Sequence, residues 1–232
     1  MTSQWIAIPT ADGGEYTGYL SLPPTGSGPG IVLIQEIWGV NQHIRTVADQ
    51  YALSGYVVLA PDVFWRIAPR IDLAYDEAGN AKAFEYYGKV DKAQAGLDLA
   101  DAATALRKHS AVTGKVAALG YCLGGQLAYR MGTLGAVDAV VSFYGGGTEE
   151  LLGDAGKLTQ PILFHHGNDD SHITQDKVAA IKSAFASRSN ATFFDYEDAG
   201  HAFNSWGRPA MYRQRAAALS HGRSLIFLAE HL

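Results

Sequence analysis

The sequence VAALGYCLGG, residues 116–125, carries the strongest indication of the fold. Four apolar residues precede GYCLGG, in which Cys122 has a glycine two positions before it and another two positions after it. An apolar strand that runs through G-x-nucleophile-x-G into a helix is typical of a nucleophile elbow, a sharp turn that holds its central side chain above a sheet. Glycines are needed there because the neighbouring backbone approaches too closely for a Cβ atom. We therefore predict a strand at residues 116–119 and a helix at residues 123–131.

Short apolar runs like this one recur along the chain. Because they do not alternate with polar residues, they are typical of strands buried on both faces of a parallel sheet. The predicted core strands cover residues 31–34, 57–60, 116–119, 139–143, 162–164 and 192–196. Two earlier segments, residues 5–9 and 16–22, flank the turn-rich sequence ADGG and predict an antiparallel hairpin.

Helical patterns separate the apolar runs, at residues 47–53, 89–109, 123–131, 176–186 and 212–228. Repeated alternation of strand and helix predicts the α/β class, with a mostly parallel central sheet flanked by helices on both faces. No linker or repeat divides the chain, so we expect one domain over residues 1–232. Residues 65–88 are the least regular stretch and predict an irregular insertion, where a lid or substrate wall is expected.

The composition is that of a compact globular protein, with 47% hydrophobic and 18% charged residues in a chain of 232. A net charge of -5 without any basic run argues against nucleic acid or a membrane surface as partner. The single cysteine excludes an internal disulfide. No signal peptide is recognisable, and no apolar stretch approaches the roughly 20 residues of a membrane span, so we expect a cytoplasmic protein.

Cys122 is the candidate nucleophile. The N-terminus of the following helix favours negative charge and therefore the thiolate form. The backbone amide of Leu123, at the same helix end, is suitably placed to bind an oxyanion. The alternative interpretation is that Cys122 is a small buried hydrophobic residue, as many free cysteines are.

Acid and base candidates follow two later strands, in the order nucleophile, acid, base that an elbow hydrolase requires. His201 follows the last predicted strand, and imidazole titrates in the range that proton transfer to a leaving group needs. The sequence HGNDD, residues 166–170, offers Asp169 and Asp170 as the acid, and the H-G-x-x-D spacing favours Asp170. These features together predict the α/β-hydrolase fold.

Three histidines near the acid, His165, His166 and His172, are interpreted as structural or pocket-lining. Their spacing matches no strong metal-ligand motif, so no metal site is expected.

Glu36 lies in the sequence QEIWG, residues 35–39, directly after the first core strand. Open α/β sheets bind their ligands at the carboxyl ends of strands, so this carboxylate is a candidate site group. The amide of Ile37 is the candidate second oxyanion donor. Alternatively, Glu36 caps the segment that follows it.

Four motifs together resemble the dienelactone hydrolase (carboxymethylenebutenolidase) family. They are QEIWG at residues 35–39, GYCLGG at 120–125, HHGNDD at 165–170 and AGHAF at 199–203. The resemblance covers nearly the whole chain and implies a monomeric α/β-hydrolase without cofactor. Members open an enol-lactone ring to a dicarboxylic keto acid during the degradation of chlorinated aromatics.

The resemblance also implies roles for single residues. It implies a triad of Cys122, Asp170 and His201, and an oxyanion hole formed by the amides of Leu123 and Ile37. Glu36 is implied to change its partner when substrate binds and to help form the thiolate.

The chain departs from the family at the positions of two arginines that, in the family, bind the carboxylate of the substrate. Lys82 and Arg208 lie near the two positions, each offset by a few residues, and lysine is a poorer bidentate partner than arginine. The expected aromatic wall consists of Trp38, Phe84, Tyr87 and Tyr144. The expected partner is therefore a small ester or lactone of open identity, and whether the chain is a monomer or a dimer also stays open.

Two other functions compete with hydrolysis through an acyl-thioester. One is a non-catalytic binding protein on a hydrolase scaffold, since folds do not fix function. The other is a thiol redox protein that uses Cys122. The intact elbow and His201 argue against the first, and the lack of a resolving cysteine argues against the second.

Overall fold

The computed structural model describes residues 2–232, in which eight strands alternate with six α-helices. The strands are β1 (Thr2–Pro9), β2 (Glu15–Leu22), β3 (Gly28–Ile34), β4 (Val57–Pro61), β5 (Val112–Tyr121), β6 (Ala139–Phe143), β7 (Ile162–Gly167) and β8 (Ala191–Tyr196). The helices are α1 (Gln42–Leu53), α2 (Glu77–Lys89), α3 (Lys92–Lys108), α4 (Leu123–Thr133), α5 (Gln175–Ala184) and α6 (Gln214–His231). A 3₁₀ segment, Thr148–Lys157, connects β6 to β7.

The strands form one sheet in the order β1-β2-β4-β3-β5-β6-β7-β8. Strands β3 to β8 run parallel to one another, whereas β1 and β2 pair as an antiparallel hairpin and β2 pairs antiparallel with β4. The predicted mostly parallel sheet and the predicted hairpin are both confirmed.

Both faces of the sheet are buried. On β3, Val32 and Ile34 belong to one apolar core, while Ile31 and Leu33 belong to the other. Helices α3 and α4 cover the first core, and α1 and α6 cover the second. Burial on both faces explains why the core strands are continuously apolar in sequence.

Within residues 2–232, no helix has both the length and the apolarity to cross a membrane.

The sheet register brings the carboxyl ends of the central strands to one edge. Ile34 of β3 pairs with Gly120 of β5, and Phe143 of β6 pairs with His165 of β7. The loops after β3, β5, β7 and β8 therefore leave the sheet side by side, and these loops carry the four candidate groups of the site.

The predicted irregular insertion at residues 65–88 is wrong in its second half, because helix α2 begins at Glu77. The Asp76 carboxylate accepts a hydrogen bond from the Gly79 amide at 2.7 Å and caps the helix. The predicted helix at residues 89–109 is confirmed as α3, which begins three residues later, at Lys92, and ends at Lys108. The chain is extended at Val90, and Asp91 caps α3 by accepting from two amides of its first turn.

Helix α1 begins five residues before the predicted start at residue 47. The side chain of Asn41 accepts a hydrogen bond from the Ile44 amide at 3.2 Å and caps the N-terminus of α1. The alternative interpretation, that Glu36 caps this segment, is therefore wrong.

Candidate active site

The turn between β5 and α4 holds Cys122 in a strained conformation, with φ 57° and ψ -117°. A non-glycine residue in such a region costs about 1–3 kcal/mol and persists only where its surroundings enforce it. Here the Cys122 amide donates to the Phe143 carbonyl at 3.0 Å, which ties the turn to the neighbouring strand. The side chain is partly exposed at the sheet edge.

The glycines of the elbow are required by close backbone contacts. A Cβ atom at Gly120 would lie 2.0 Å from the Gly124 carbonyl oxygen, and one at Gly124 would lie 2.3 Å from that of Ile34. The turn is thus pressed against β3, which brings Cys122 beside the loop that contains Glu36 and Ile37.

Asp170 and His201 form the second part of the site. The His201 Nδ1 atom lies 2.8 Å from Asp170 Oδ2, while the other carboxylate oxygen accepts from the amides of His172 and Ile173 at 2.8 and 3.0 Å. The carboxylate is therefore fixed from both sides. Asp169, the alternative acid, has an exposed side chain.

His201 stands between Asp170 and Cys122. Burial disfavours the imidazolium, but the charge of Cys122 and the hydrogen bonds to Asp170 and Cys122 outweigh it and raise the pKa of His201 to about 10. Burial also acts on Asp170, yet its bonds to His201 and two backbone amides hold the pKa of Asp170 below the usual value. The arrangement favours a protonated His201 that is held by the Asp170 carboxylate beside Cys122.

Two backbone amides beside Cys122 are free to donate. Leu123 is the first residue of α4, and Ile37 follows β3 by three residues. Within residues 2–232, neither amide has a hydrogen-bond acceptor. Leu123 is at a helix start, where an amide has no partner inside the helix, and Ile37 lies in a turn; both amides are available for a negatively charged oxygen.

Glu36 is only 1% exposed and is fully engaged. Its Oε1 atom accepts from Arg208 Nη2 at 2.9 Å, and its Oε2 atom accepts from the Tyr75 hydroxyl at 3.4 Å. The Arg208 guanidinium also stacks on Trp38, with 4.4 Å between its Cζ atom and the ring centroid. Glu36 and Arg208, 172 residues apart, thus form one ion pair, in which Glu36 is buried and Arg208 is partly exposed.

A cleft of about 420 Å³ opens beside this ion pair. Its lining is mostly aromatic and apolar and consists of Trp38, Tyr75, Asn80, Phe84, Gly207, Arg208, Pro209, Ala210 and Met211. Helix α2 forms one wall, because Asn80 and Phe84 lie four residues apart on the same helix face. The Trp38 indole donates to Asn80 Oδ1 at 3.0 Å and joins this wall to the loop after β3.

Three of the predicted substrate-binding side chains, Trp38, Phe84 and Arg208, line the cleft. Tyr144 is instead buried beside His201, with 5.2 Å between the ring centroids, and has a strained φ of 36°. It belongs to the wall around the triad candidates rather than to the cleft.

Lys82 and Tyr87 lie outside the cleft, contrary to expectation. Lys82 comes two residues after Asn80, on the opposite side of α2, and its Nζ atom binds Glu85 at 2.7 Å. Tyr87 lies farther along the helix, where its ring contacts the Lys92 ammonium at 4.6 Å.

Sequence reasoning missed Tyr75, Asn80 and His43. Tyr75 packs edge-on against Trp38 with 5.1 Å between centroids, and the His43 ring lies between Tyr75 and Trp206. These contacts depend on the path of the connection between β4 and α2. No local sequence pattern reports that path.

The histidines next to the acid differ in their surroundings. His165 is buried and hydrogen-bonded to the Tyr196 hydroxyl at 2.8 Å and to Ser224 at 3.0 Å, and burial keeps its pKa well below the usual value. The His172 ring stacks edge-on against His201 at 4.9 Å. Across residues 2–232, no group of three potential His, Cys, Asp or Glu ligands is present for a metal ion.

Known proteins share this architecture over their whole length. The sequence pattern of the dienelactone hydrolase family matches residues 16–232. Carboxymethylenebutenolidase of Pseudomonas putida is 33% identical over 231 residues, which cover 99% of this chain and 97% of that protein. Carboxymethylenebutenolidase 1 of Cupriavidus pinatubonensis is 30% identical over 230 residues, with 99% and 97% coverage.

A solved structure gives the same result for the fold. The dienelactone hydrolase-like promiscuous phosphotriesterase from metagenomic libraries superposes with a TM-score of 0.79 at 27% identity, covering 100% of this chain and 99% of that chain. Sequence and structure agree with the resemblance drawn from the four motifs, and the enzyme class follows from the relatives. The chain is a hydrolase and belongs to the dienelactone hydrolase family.

Proposed function

We propose that this hydrolase cleaves a carboxylic ester or lactone with Cys122 as nucleophile, His201 as base and acid, and Asp170 as the partner of His201. The observation that carries the proposal is the position of His201 between the strained Cys122 and the Asp170 carboxylate. The oxyanion hole is assigned to the amides of Leu123 and Ile37. Ester cleavage needs these three elements and no cofactor.

The first half of the reaction forms an acyl-thioester. The thiolate of Cys122 attacks the carbonyl carbon, and the carbonyl electron pair moves to the oxygen, which the two amides stabilise. The tetrahedral intermediate then expels the ester oxygen, which takes the proton of the His201 imidazolium. In a lactone this oxygen stays attached, so the ring opens while the acyl group is held on sulfur.

The second half consumes one water molecule. Neutral His201 accepts a proton from water as the water oxygen attacks the thioester carbon. The carbon–sulfur bond breaks, a carboxylic acid leaves, and the thiolate–imidazolium pair is restored. Asp170 stays ionised throughout and stabilises the imidazolium.

Glu36 has a supporting role in this scheme. With Arg208 as its partner, it holds the loop after β3, which also carries the Ile37 amide. The change of partner that the family resemblance implies stays a prediction. In this structure the Glu36 carboxylate is paired with Arg208.

The test is hydrolysis of 4-nitrophenyl acetate and of a dienelactone by wild type, Cys122→Ala and Cys122→Ser. We expect Cys122→Ala to lose about 10⁴-fold or more in kcat on both substrates, because the nucleophile is absent. Mass spectrometry of acid-quenched wild type should show an added acyl group, which disappears in Cys122→Ala. Full activity of Cys122→Ala would show that another residue is the nucleophile.

A further inference from the structure

Helix α6 carries exposed apolar side chains on the face that points away from the sheet. Its buried residues, which pack towards the core, are Ala216, Ala217, Ser220, Ser224, Phe227 and Leu228. The opposite face carries a row of side chains that we call the outer stripe, and it consists of Arg215, Leu219, Gly222, Ile226 and Glu230. These positions recur every three or four residues and therefore share one face of the helix.

Two large apolar side chains dominate the outer stripe. Leu219 is 42% exposed and Ile226 is 62% exposed. They lie seven residues apart, or about two helical turns, and only Gly222 lies between them on this face. Single apolar residues are common at protein surfaces, but two that stand in line on one helix form a patch suited to another apolar surface.

Charges of opposite sign mark the two ends of the outer stripe. Arg215 and Glu230 are both exposed, and within residues 2–232 neither side chain forms an ion pair. The midpoint between Arg215 and Glu230 falls between positions 222 and 223, and the midpoint between Leu219 and Ile226 falls at the same place. The outer stripe is therefore complementary to a reversed copy of itself.

We propose that the outer stripe is the docking surface for a second copy of this chain, whose own α6 packs against it in the antiparallel direction. The two-fold axis passes between positions 222 and 223. In this register Leu219 of each copy is level with Ile226 of the other, and Arg215 is level with Glu230. A parallel pair is disfavoured, because it places like charges side by side at both ends. Docking of this kind does not depend on the proposed ester hydrolysis.

The surface beside the outer stripe leaves room for the second copy. Strand β8 is the edge of the sheet, and two grooves of about 400 and 210 Å³ lie between it and α6. Leu219 lines the first groove and Ile226 lines the second. Arg223 lines both, with its guanidinium over the Phe194 ring at 4.0 Å. The guanidinium is thus directed towards β8, so the two copies of Arg223 do not meet at the axis.

The size of the outer stripe predicts a weak dimer. Helix α6 has 18 residues and is therefore about 27 Å long. A contact made by one helix from each copy lies at the low end of specific interfaces, below about 1,200 Å² of buried surface. We therefore expect a dissociation constant on the order of 10 μM.

Sedimentation velocity of the full chain at increasing concentration tests the proposal. We expect wild type to be mostly monomeric at about 1 μM and mostly dimeric at about 200 μM. A chain that stays monomeric over this range, as the family resemblance implies, would overturn the proposal.

Two leucines provide a matched pair of variants. Leu219 is 42% exposed on the outer stripe, and Leu97 is 49% exposed on α3, which covers the other face of the sheet. We expect Leu219→Lys to raise the dissociation constant at least about tenfold, because each copy then brings a charge into the apolar centre of the contact. Leu97→Lys should leave the dissociation constant unchanged. Equal effects of the two variants would overturn the proposal, and circular dichroism verifies that both fold.

A charge exchange tests the antiparallel register. Glu230→Arg places like charges opposite each other, and we expect it to raise the dissociation constant about tenfold. An added cation near the C-terminus of α6 suits the helix dipole, so unfolding of the helix does not explain such a loss. Adding Arg215→Glu restores opposite charges and should return the dissociation constant to within about threefold of wild type. A double variant as weak as Glu230→Arg alone would contradict this register.

Discussion

At the residue scale, the two neighbouring aspartates provide a matched comparison. Asp170 binds His201 at 2.8 Å, whereas the Asp169 side chain is exposed and only its backbone amide is engaged, with the Ala199 carbonyl at 3.0 Å. We expect Asp170→Asn to lower kcat by about 10³-fold or more, because an amide neither fixes the tautomer nor stabilises the imidazolium. Asp169→Asn should change kcat by about twofold at most. Comparable losses in the two variants would mean that the wrong acid is assigned.

The ionisation of His201 makes a second prediction at this scale. Its pKa is raised from 6.5 to about 10, so the imidazolium stabilises the folded state fully below pH 6.5. That contribution is lost as the pH rises through about 10. Urea unfolding of wild type and His201→Gln should therefore show a stability difference that shrinks between these two pH values. A stability difference that stays constant or grows with pH would contradict the assignment of a protonated His201 in the folded state.

Asp170 contributes in the opposite direction on the pH scale. Since its folded pKa lies below 3.8, its stabilisation is present above that pH and is lost as the pH falls through the lower value. The loss of stability at low pH is therefore assigned to Asp170, and the loss at high pH to His201.

At the scale of elements, two glycines can be compared: one in the elbow, where the neighbouring backbone is close, and one in α6, where it is not. Gly120→Ala should lower the free energy of unfolding by about 1–3 kcal/mol or more, because its Cβ atom would meet the Gly124 carbonyl at 2.0 Å. Gly222, inside α6, has nothing within 4 Å of a Cβ atom. Gly222→Ala should therefore raise stability by roughly 0.5–1 kcal/mol, as alanine does in helices. Denaturant unfolding of both variants measures the contrast.

Elements with a strong local signal were predictable. The core strands are apolar on both faces, and the elbow follows one of them with its glycines in place. Helix α2 has a weaker signal, since Gly79, Ala83 and Tyr86 are its only buried residues. A sequence pattern with so small an apolar face does not distinguish a helix from an irregular loop.

The cleft was harder to predict than the triad candidates. Cys122, Asp170 and His201 each follow a strand whose place in the sheet is readable from the chain. The Tyr75–Glu36 and Asn80–Trp38 contacts join residues 39 and 42 positions apart, through a connection without regular structure before α2. Lys82 was predicted to bind substrate because of its position in the sequence, but it lies on the side of α2 that faces away from the cleft.

At the scale of the whole molecule, the sheet accounts for the family, whereas the departures from the family pattern lie outside the sheet. The parallel strands β3 to β8 bring four loops to one edge, and the solved structure at 27% identity has the same fold over the full chain. The side chains on α2 and around Arg208 are supplied by connections outside the sheet. Connections of this kind vary more readily than the strands they join, so substrate recognition can change while the elbow stays the same.

The spread of the site along the chain has a consequence for how the molecule acquires activity. Glu36, Cys122, Asp170, His201 and Arg208 come from the four loops after β3, β5, β7 and β8, and the last of these residues is joined to the first across 172 positions. During synthesis the chain therefore has no complete site until nearly all of its strands have been made and paired. Long-range pairing of this kind is slow compared with helix formation. Recovered hydrolysis after dilution from denaturant thus reports assembly of the entire sheet, whereas a far-ultraviolet helical signal does not.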